Sequence, residues 1–171
     1  MKLLREILYK VEINSVVGNT SLSINKIEFD SRLISDGDMY IAITGVNVDG
    51  HSFISQAIKN GANCIVCEKI PDNKTDGVVY VNVKSSRKAL AIISSNYFDN
   101  PSSKLNLIGV TGTNGKTTIA TLLFDLYTEL EIKSGLISTV KISYDNKIFQ
   151  SNQTTPDSLS INRFLSEMVN S

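Results

Sequence analysis

Tryptophan is missing from this 171-residue chain, histidine occurs once, cysteine twice, and neither sign of charge is in excess. Each shortage removes a class of function. Lys plus Arg equal Asp plus Glu at 17 each, so no basic surplus points to nucleic acid or to an anionic membrane. His51 alone cannot build a multi-histidine metal site within the chain. Cys64 and Cys67 form C-x-x-C in NCIVCE, but zinc wants a second pair and there is none. Their flanks read as a strand, which turns residues three apart to opposite faces, so the pair is expected to be buried and structural. No apolar run approaches the length that spans a bilayer, and MKLLREILYKVEI is too charged for a secretory segment. The expectation is a cytoplasmic monomer with no membrane or nucleic-acid partner. At 42% hydrophobic and 20% charged residues, the composition is globular, with room for one good core or two small ones.

What the chain does have is LNLIGVTGTNGKTT, Leu105 to Thr118. An apolar run of buried-strand type, 105–108, turns through Gly109, Gly112 and Gly115 and meets Lys116, Thr117 and Thr118. Ile119, Leu122, Leu123, Leu126 and Leu130 then recur at helical spacing. Strand, glycine turn and helix make a phosphate cradle: glycines let backbone N–H groups approach an anion, and the helix N-terminus adds partial positive charge. Lys116 can reach the β- and γ-phosphates, and the Thr117 hydroxyl can ligate Mg²⁺. The strict pattern G-x-x-x-x-G-K-[ST] is not met, since Val110 stands where a glycine belongs. A glycine-rich turn before an ordinary helix is the plainer alternative.

Taken in order, residues 2–9 read as a short amphipathic helix. Ile24, Ile27 and Phe29 suggest a strand ending at Asp30, and Met39–Ile43 a buried strand after the turn at Asp36-Gly37-Asp38. Ser52 is a candidate N-cap for a helix carrying Phe53, Ile54, Ala57 and Ile58, with Gly61 just past its end. Strands follow at 64–67 and 78–83, then a helix capped by Ser85 or Ser86 with Ala89, Leu90, Ile93 and Tyr97 on its apolar face. Asp99 to Ser103 is the most linker-like segment, so a domain boundary is expected near 100. Beyond the phosphate loop, Gly135–Thr139 reads as the next parallel strand, and 141–143 with 147–149 as a hairpin around Tyr144-Asp145-Asn146. Thr155 is a candidate N-cap, with Pro156 at the first helical position and Asp157 in the first turn. A phosphate-loop sheet needs several parallel strands, and 102–171 supplies only about two plus a hairpin. The expected fold class is therefore α/β: a small mixed α/β domain over 1–100, then the truncated start of a parallel-sheet phosphate-loop domain over 101–171. The chain reads as the first piece of something longer.

The loop text GVTGTNGKTT resembles the version found in the Mur ligases of bacterial cell-wall synthesis, where T-G-T-N-G-K-T is the pattern and Val110 is expected. FDSR at Phe29–Arg32, SDGDMYIAITG at Ser35–Gly45, DGHSFISQAIKNGA at Asp49–Ala62, GLISTV at Gly135–Val140 and TTPDS at Thr154–Ser158 match as well. The resemblance covers essentially the whole chain, in order, and is strongest to the branch that adds the third peptide residue to a UDP-muramyl dipeptide.

That resemblance implies a UDP-binding domain over 1–100 and a partial ATP-binding domain over 101–171. It implies ATP binding through Gly112, Thr113, Asn114, Gly115, Lys116, Thr117 and Thr118, with Mg²⁺ on Thr117. It carries UDP-muramyl dipeptide contacts onto Ser31, Asn47, Thr154 and Thr155. The partners are UDP-N-acetylmuramoyl dipeptide and an amino acid, joined through an acyl phosphate made from ATP. No catalytic residue falls within the chain: the family's magnesium-holding glutamate and histidine, its carbamylated lysine and its amino-acid-binding domain lie beyond, so the chain alone is expected not to ligate. Asp30 and Ser31 as a strand end, Thr155 as a helix cap, Asp157 as a first-turn charge and His51 as a turn filler are the plainer readings. Two other functions stay open: the neighbouring Mur ligase that adds D-alanyl-D-alanine, whose loop more often reads G-S-N-G-K-T and which lacks T-T-P, and a non-catalytic UDP-sugar or nucleotide-binding module.

Overall fold

The computed structural model describes the chain except for residues 46–47 and 151–154. It divides into two compact units, Met1–Asp99 and Asn100–Ser171. The class is α/β.

The first unit opens with β1 (Lys2–Leu3) and one turn of helix, α1 (Leu4–Ile7). Only half of the 2–9 stretch is therefore helical, because Lys2 and Leu3 pair antiparallel with β3 (Ser23–Ile24). β2 (Ile13–Val17) precedes β3, and β4 (Ile27–Glu28), β5 (Asp38–Ile41), α2 (Ile54–Lys59), β6 (Ala62–Cys67), β7 (Val79–Val83) and α3 (Ser86–Tyr97) follow. A five-stranded sheet runs β2-β7-β6-β5-β4. Its β4, β5, β6 and β7 are parallel, and β2 closes one edge antiparallel. Ile24 and Ile27, read as one strand, fall into two different sheets. β5 is buried throughout and β6 nearly so, the continuous apolar run that a parallel strand covered on both faces requires. One face gathers Ile34, Tyr40, Ala42, Ile54, Ala57, Ile65, Cys67 and Tyr80 into a cluster. Cys64 and Cys67 are free, buried thiols on β6. Burial pushes both upward, Cys67 to about 11, as expected of inert structural cysteines.

The second unit begins with a 3-10 turn, Pro101–Lys104, packed on α5 (Ser158–Asn170). Between them come α4 (Lys116–Glu129), β8 (Leu136–Ile137), β9 (Lys141–Tyr144) and β10 (Lys147–Gln150). The expected strand at 105–108 does not form: residues 106–111 carry no regular structure, and Leu107 and Ile108 are 58% and 59% exposed. A parallel strand needs a neighbour for its backbone groups, and no described strand lies beside it. Gly135–Thr139 likewise yields only β8, which pairs antiparallel with β9 in the sheet β10-β9-β8. The hairpin forms as read. Asp145 and Asn146 have φ of 48° and 58°, the two left-handed residues of a type I′ turn. Tyr144 stacks on Phe149, Phe164 of α5 tilts against both, and the Tyr144 hydroxyl donates to Glu167.

Candidate functional site

The three long helices, α3, α4 and α5, meet their first N–H groups in different ways. At α3, Ser85 accepts from the Lys88 amide and Glu68 Oε1 accepts from the Ser86 amide at 2.9 Å. At α5, Asp157 takes both the Ser160 amide (2.9 Å) and the Ser160 hydroxyl (2.7 Å). Asp157 is thus the N-cap, not a first-turn charge, and Thr155 is not the cap. A carboxylate one residue before the helix satisfies one of the orphan amides and interacts favourably with the helix dipole at once.

At α4 no side chain caps. Gly115 occupies the cap position with φ 78°, and Gly112 has φ 154°. A Cβ added at Gly115 would meet nothing nearer than Ile119 Cδ1 at 4.0 Å, so backbone conformation rather than crowding demands glycine there. Residues 112–116 and Thr118 are exposed, and Thr117 is half-buried. Lys116 folds back across the loop, its Nζ donating to the carbonyls of Gly112 (2.5 Å) and Thr113 (3.3 Å). An ammonium held by neutral carbonyls can exchange them for a polyphosphate, whose charge it matches better. Uncapped amides, a helix N-terminus and a lysine on one short loop make an anion cradle.

The sequence reading missed Thr139. It follows β8, and its Oγ1 lies 2.9 Å from Thr117 Oγ1. GLISTV gave no sign of this, because the contact depends on how the β8–β9 turn meets α4. Of the other expected site residues, Ser31 is 7% exposed in the first unit and opens the 3-10 turn Ser31–Leu33. Its carbonyl accepts from Asn60 Nδ2 at 2.7 Å. Asp30 caps that turn and is gripped by the Arg32 guanidinium, whose hydrogen bonds hold the Asp30 carboxyl below its usual range. Thr155 is exposed in the second unit. Asn47 and Thr154 lie outside the described residues.

His51 does more than fill its turn. Ser52 does not cap α2, whose N-cap is Phe53 with no side-chain hydrogen bond; Asp49 caps the 3-10 turn Gly50–Phe53 that leads into it. The His51 ring joins Asp49 Oδ1 (2.7 Å) to the Glu68 amide, which donates to Nε2 at 2.9 Å. The Asp49–His51 turn is therefore tied to the residue that follows β6. No group of three or more His, Cys, Asp or Glu side chains that could hold a metal ion occurs among the described residues, and none of the described helices is long and apolar enough to cross a membrane.

By fold and loop, this is an α/β protein with a glycine-loop anion cradle at the N-terminus of a helix. Residues 23–98 match the model of the Mur ligase family catalytic domain and residues 110–171 that of the Mur ligase middle domain. The chain belongs to the Mur ligase family. It is 47% identical over 167 residues to the UDP-N-acetylmuramoyl-L-alanyl-D-glutamate--2,6-diaminopimelate ligase of Cytophaga hutchinsonii, covering 97% of this chain and 34% of that protein. The Clostridium tetani ligase of the same name is 44% identical over 172 residues, covering 98% and 35%. The chain thus spans about a third of the length of these relatives. A solved structure of a ligase of that name superposes with a TM-score of 0.75 at 21% identity, over 99% of this chain and 34% of that one. The MurF ligase of Thermotoga maritima, solved with ADP, gives 0.54 at 29% identity, over 80% and 28%.

Proposed function

We propose that this chain carries the ATP loop and the uridine-diphosphate-facing region of an ATP-dependent amide ligase, one that adds the third amino acid to UDP-N-acetylmuramoyl-L-alanyl-D-glutamate in peptidoglycan precursor synthesis. The observation that carries it is the uncapped, glycine-led N-terminus of α4 with Lys116 folded over it. The names of the relatives, diaminopimelate ligases, support 2,6-diaminopimelate over lysine as the incoming amine. The identity to those ligases, against 29% to the MurF ligase, favours this reading over D-alanyl-D-alanine addition.

The chemistry asked of these residues is charge neutralisation between a carboxylate and a triphosphate. Loop amides and Lys116 hold the β- and γ-phosphates in line for transfer to the substrate carboxylate, by positioning and electrostatics. The amine then displaces phosphate from the resulting acyl phosphate. Mg²⁺ fits the donors present: it is a hard cation that takes oxygen ligands, keeps several waters and binds through few protein groups plus substrate phosphates, and the Thr117 hydroxyl at the loop is such a group. When bound, it neutralises developing phosphate charge. Ser31, Asn47, Thr154 and Thr155 are proposed on the UDP-muramyl dipeptide side.

Titration calorimetry of the chain with Mg-ADP and, separately, with UDP-N-acetylmuramoyl-L-alanyl-D-glutamate tests this. Both should bind. Binding of the uridine ligand alone would favour the non-catalytic module, and binding of neither would overturn the proposal.

A further inference from the structure

We infer that Thr139 is a positioning residue for the cation: its hydroxyl accepts the proton of the Thr117 hydroxyl, so that Thr117 offers a lone pair to Mg²⁺ in one fixed orientation. This deepens the reading above and rests on it. A threonine hydroxyl has one proton and two lone pairs. When a lone pair is given to a cation, the proton must point away from it and needs an acceptor. Thr139 Oγ1, 2.9 Å away, is that acceptor. The pair then has one direction, Thr117 donating and Thr139 accepting, where two hydroxyls alone would be free to choose.

The placement of Thr139 is built. It sits in the turn Ser138–Lys141, where the Ser138 amide and Oγ both donate to the Lys141 carbonyl (3.0 and 2.8 Å) and the Lys141 amide donates back to Ser138 Oγ at 3.1 Å. Two residues on, the Lys141 ammonium lies 5.9 Å from the Phe124 ring centroid on α4. The turn therefore touches the helix at a second point besides the Thr117–Thr139 pair. Outer groups that orient a metal's ligands in this way tune affinity without touching the ion.

The test compares Thr139→Val and Thr139→Ser with the unaltered chain, reading ADP affinity by calorimetry across a magnesium titration and in excess EDTA, with a thermal melt to check folding. Valine keeps the shape and removes the acceptor; serine keeps the acceptor. The expected result is that Thr139→Val loses about three- to tenfold of the affinity that magnesium adds, the range for one neutral hydrogen bond, with EDTA affinity unchanged. Thr139→Ser should restore the gain. An unchanged magnesium response in Thr139→Val overturns the inference, as does an equal loss in both variants or an equal loss with and without magnesium. A chain that binds no ADP at all in its unaltered form sinks the nucleotide reading itself, and the inference falls with it.

Discussion

The starts of α4 and α5, in the same unit, solve one problem in opposite ways. Both leave backbone amides without helical partners. α5 meets one of them from within, the Ser160 amide, with the Asp157 carboxylate. α4 leads in with Gly115 in a left-handed conformation and brings no side chain to its amides. A terminus closed by its own carboxylate is stable and inert to anions. One left open has its stabilising partner still to come, and that vacancy of side chains is what separates a binding element from a structural one.

The largest way to break the contrast is at Lys116. Lys116→Ala removes the one cation on the open terminus and should weaken ADP binding by about 10- to 100-fold, the effect of losing a charge-assisted hydrogen bond, with little change in the melting curve; calorimetry beside a thermal melt reads both. Gly115→Ser sharpens it. Serine is a favoured cap elsewhere, yet here it must adopt φ near 78°, so denaturant unfolding should show a loss of about 1–2 kcal/mol instead of a gain. The mirror experiment, Asp157→Ala, should cost about 1 kcal/mol of stability and leave ADP affinity unchanged.

The smallest effect lies in the first unit, at the self-closed turn after Asp30. Its carboxyl is lowered mainly by the Arg32 side-chain hydrogen bond, so the folded state binds its proton less readily than the unfolded chain does. The stabilisation is full above about pH 4, the unfolded carboxylate value, and fades as pH falls through the lowered folded one. Asp30→Asn should flatten that acid limb in a series of melts between neutral pH and pH 3.

What the sequence made legible was whatever depends on neighbours in sequence. Gly61, with φ 108° just past α2, the Asp145-Asn146 turn, the Ser85 cap and the buried Cys64–Cys67 strand all follow local rules. What it hid depends on distant partners. Lys2 and Leu3 open a stretch with helical spacing but find β3 to pair with. Leu105 to Ile108 has strand composition but no strand beside it among the described residues. Thr155 and Asp157 are both good caps, and the chain path beyond Pro156 decides for Asp157. The loop itself was readable, since glycines and lysine act in sequence order; Thr139, 22 residues away from Thr117, was not.

The two cysteines carry a practical consequence. Both sit in β6 of the first unit, closed to solvent, so a thiol reagent reaches them only when that sheet opens. Their labelling rate is thus a clock for the opening of the first unit, read without mutating anything.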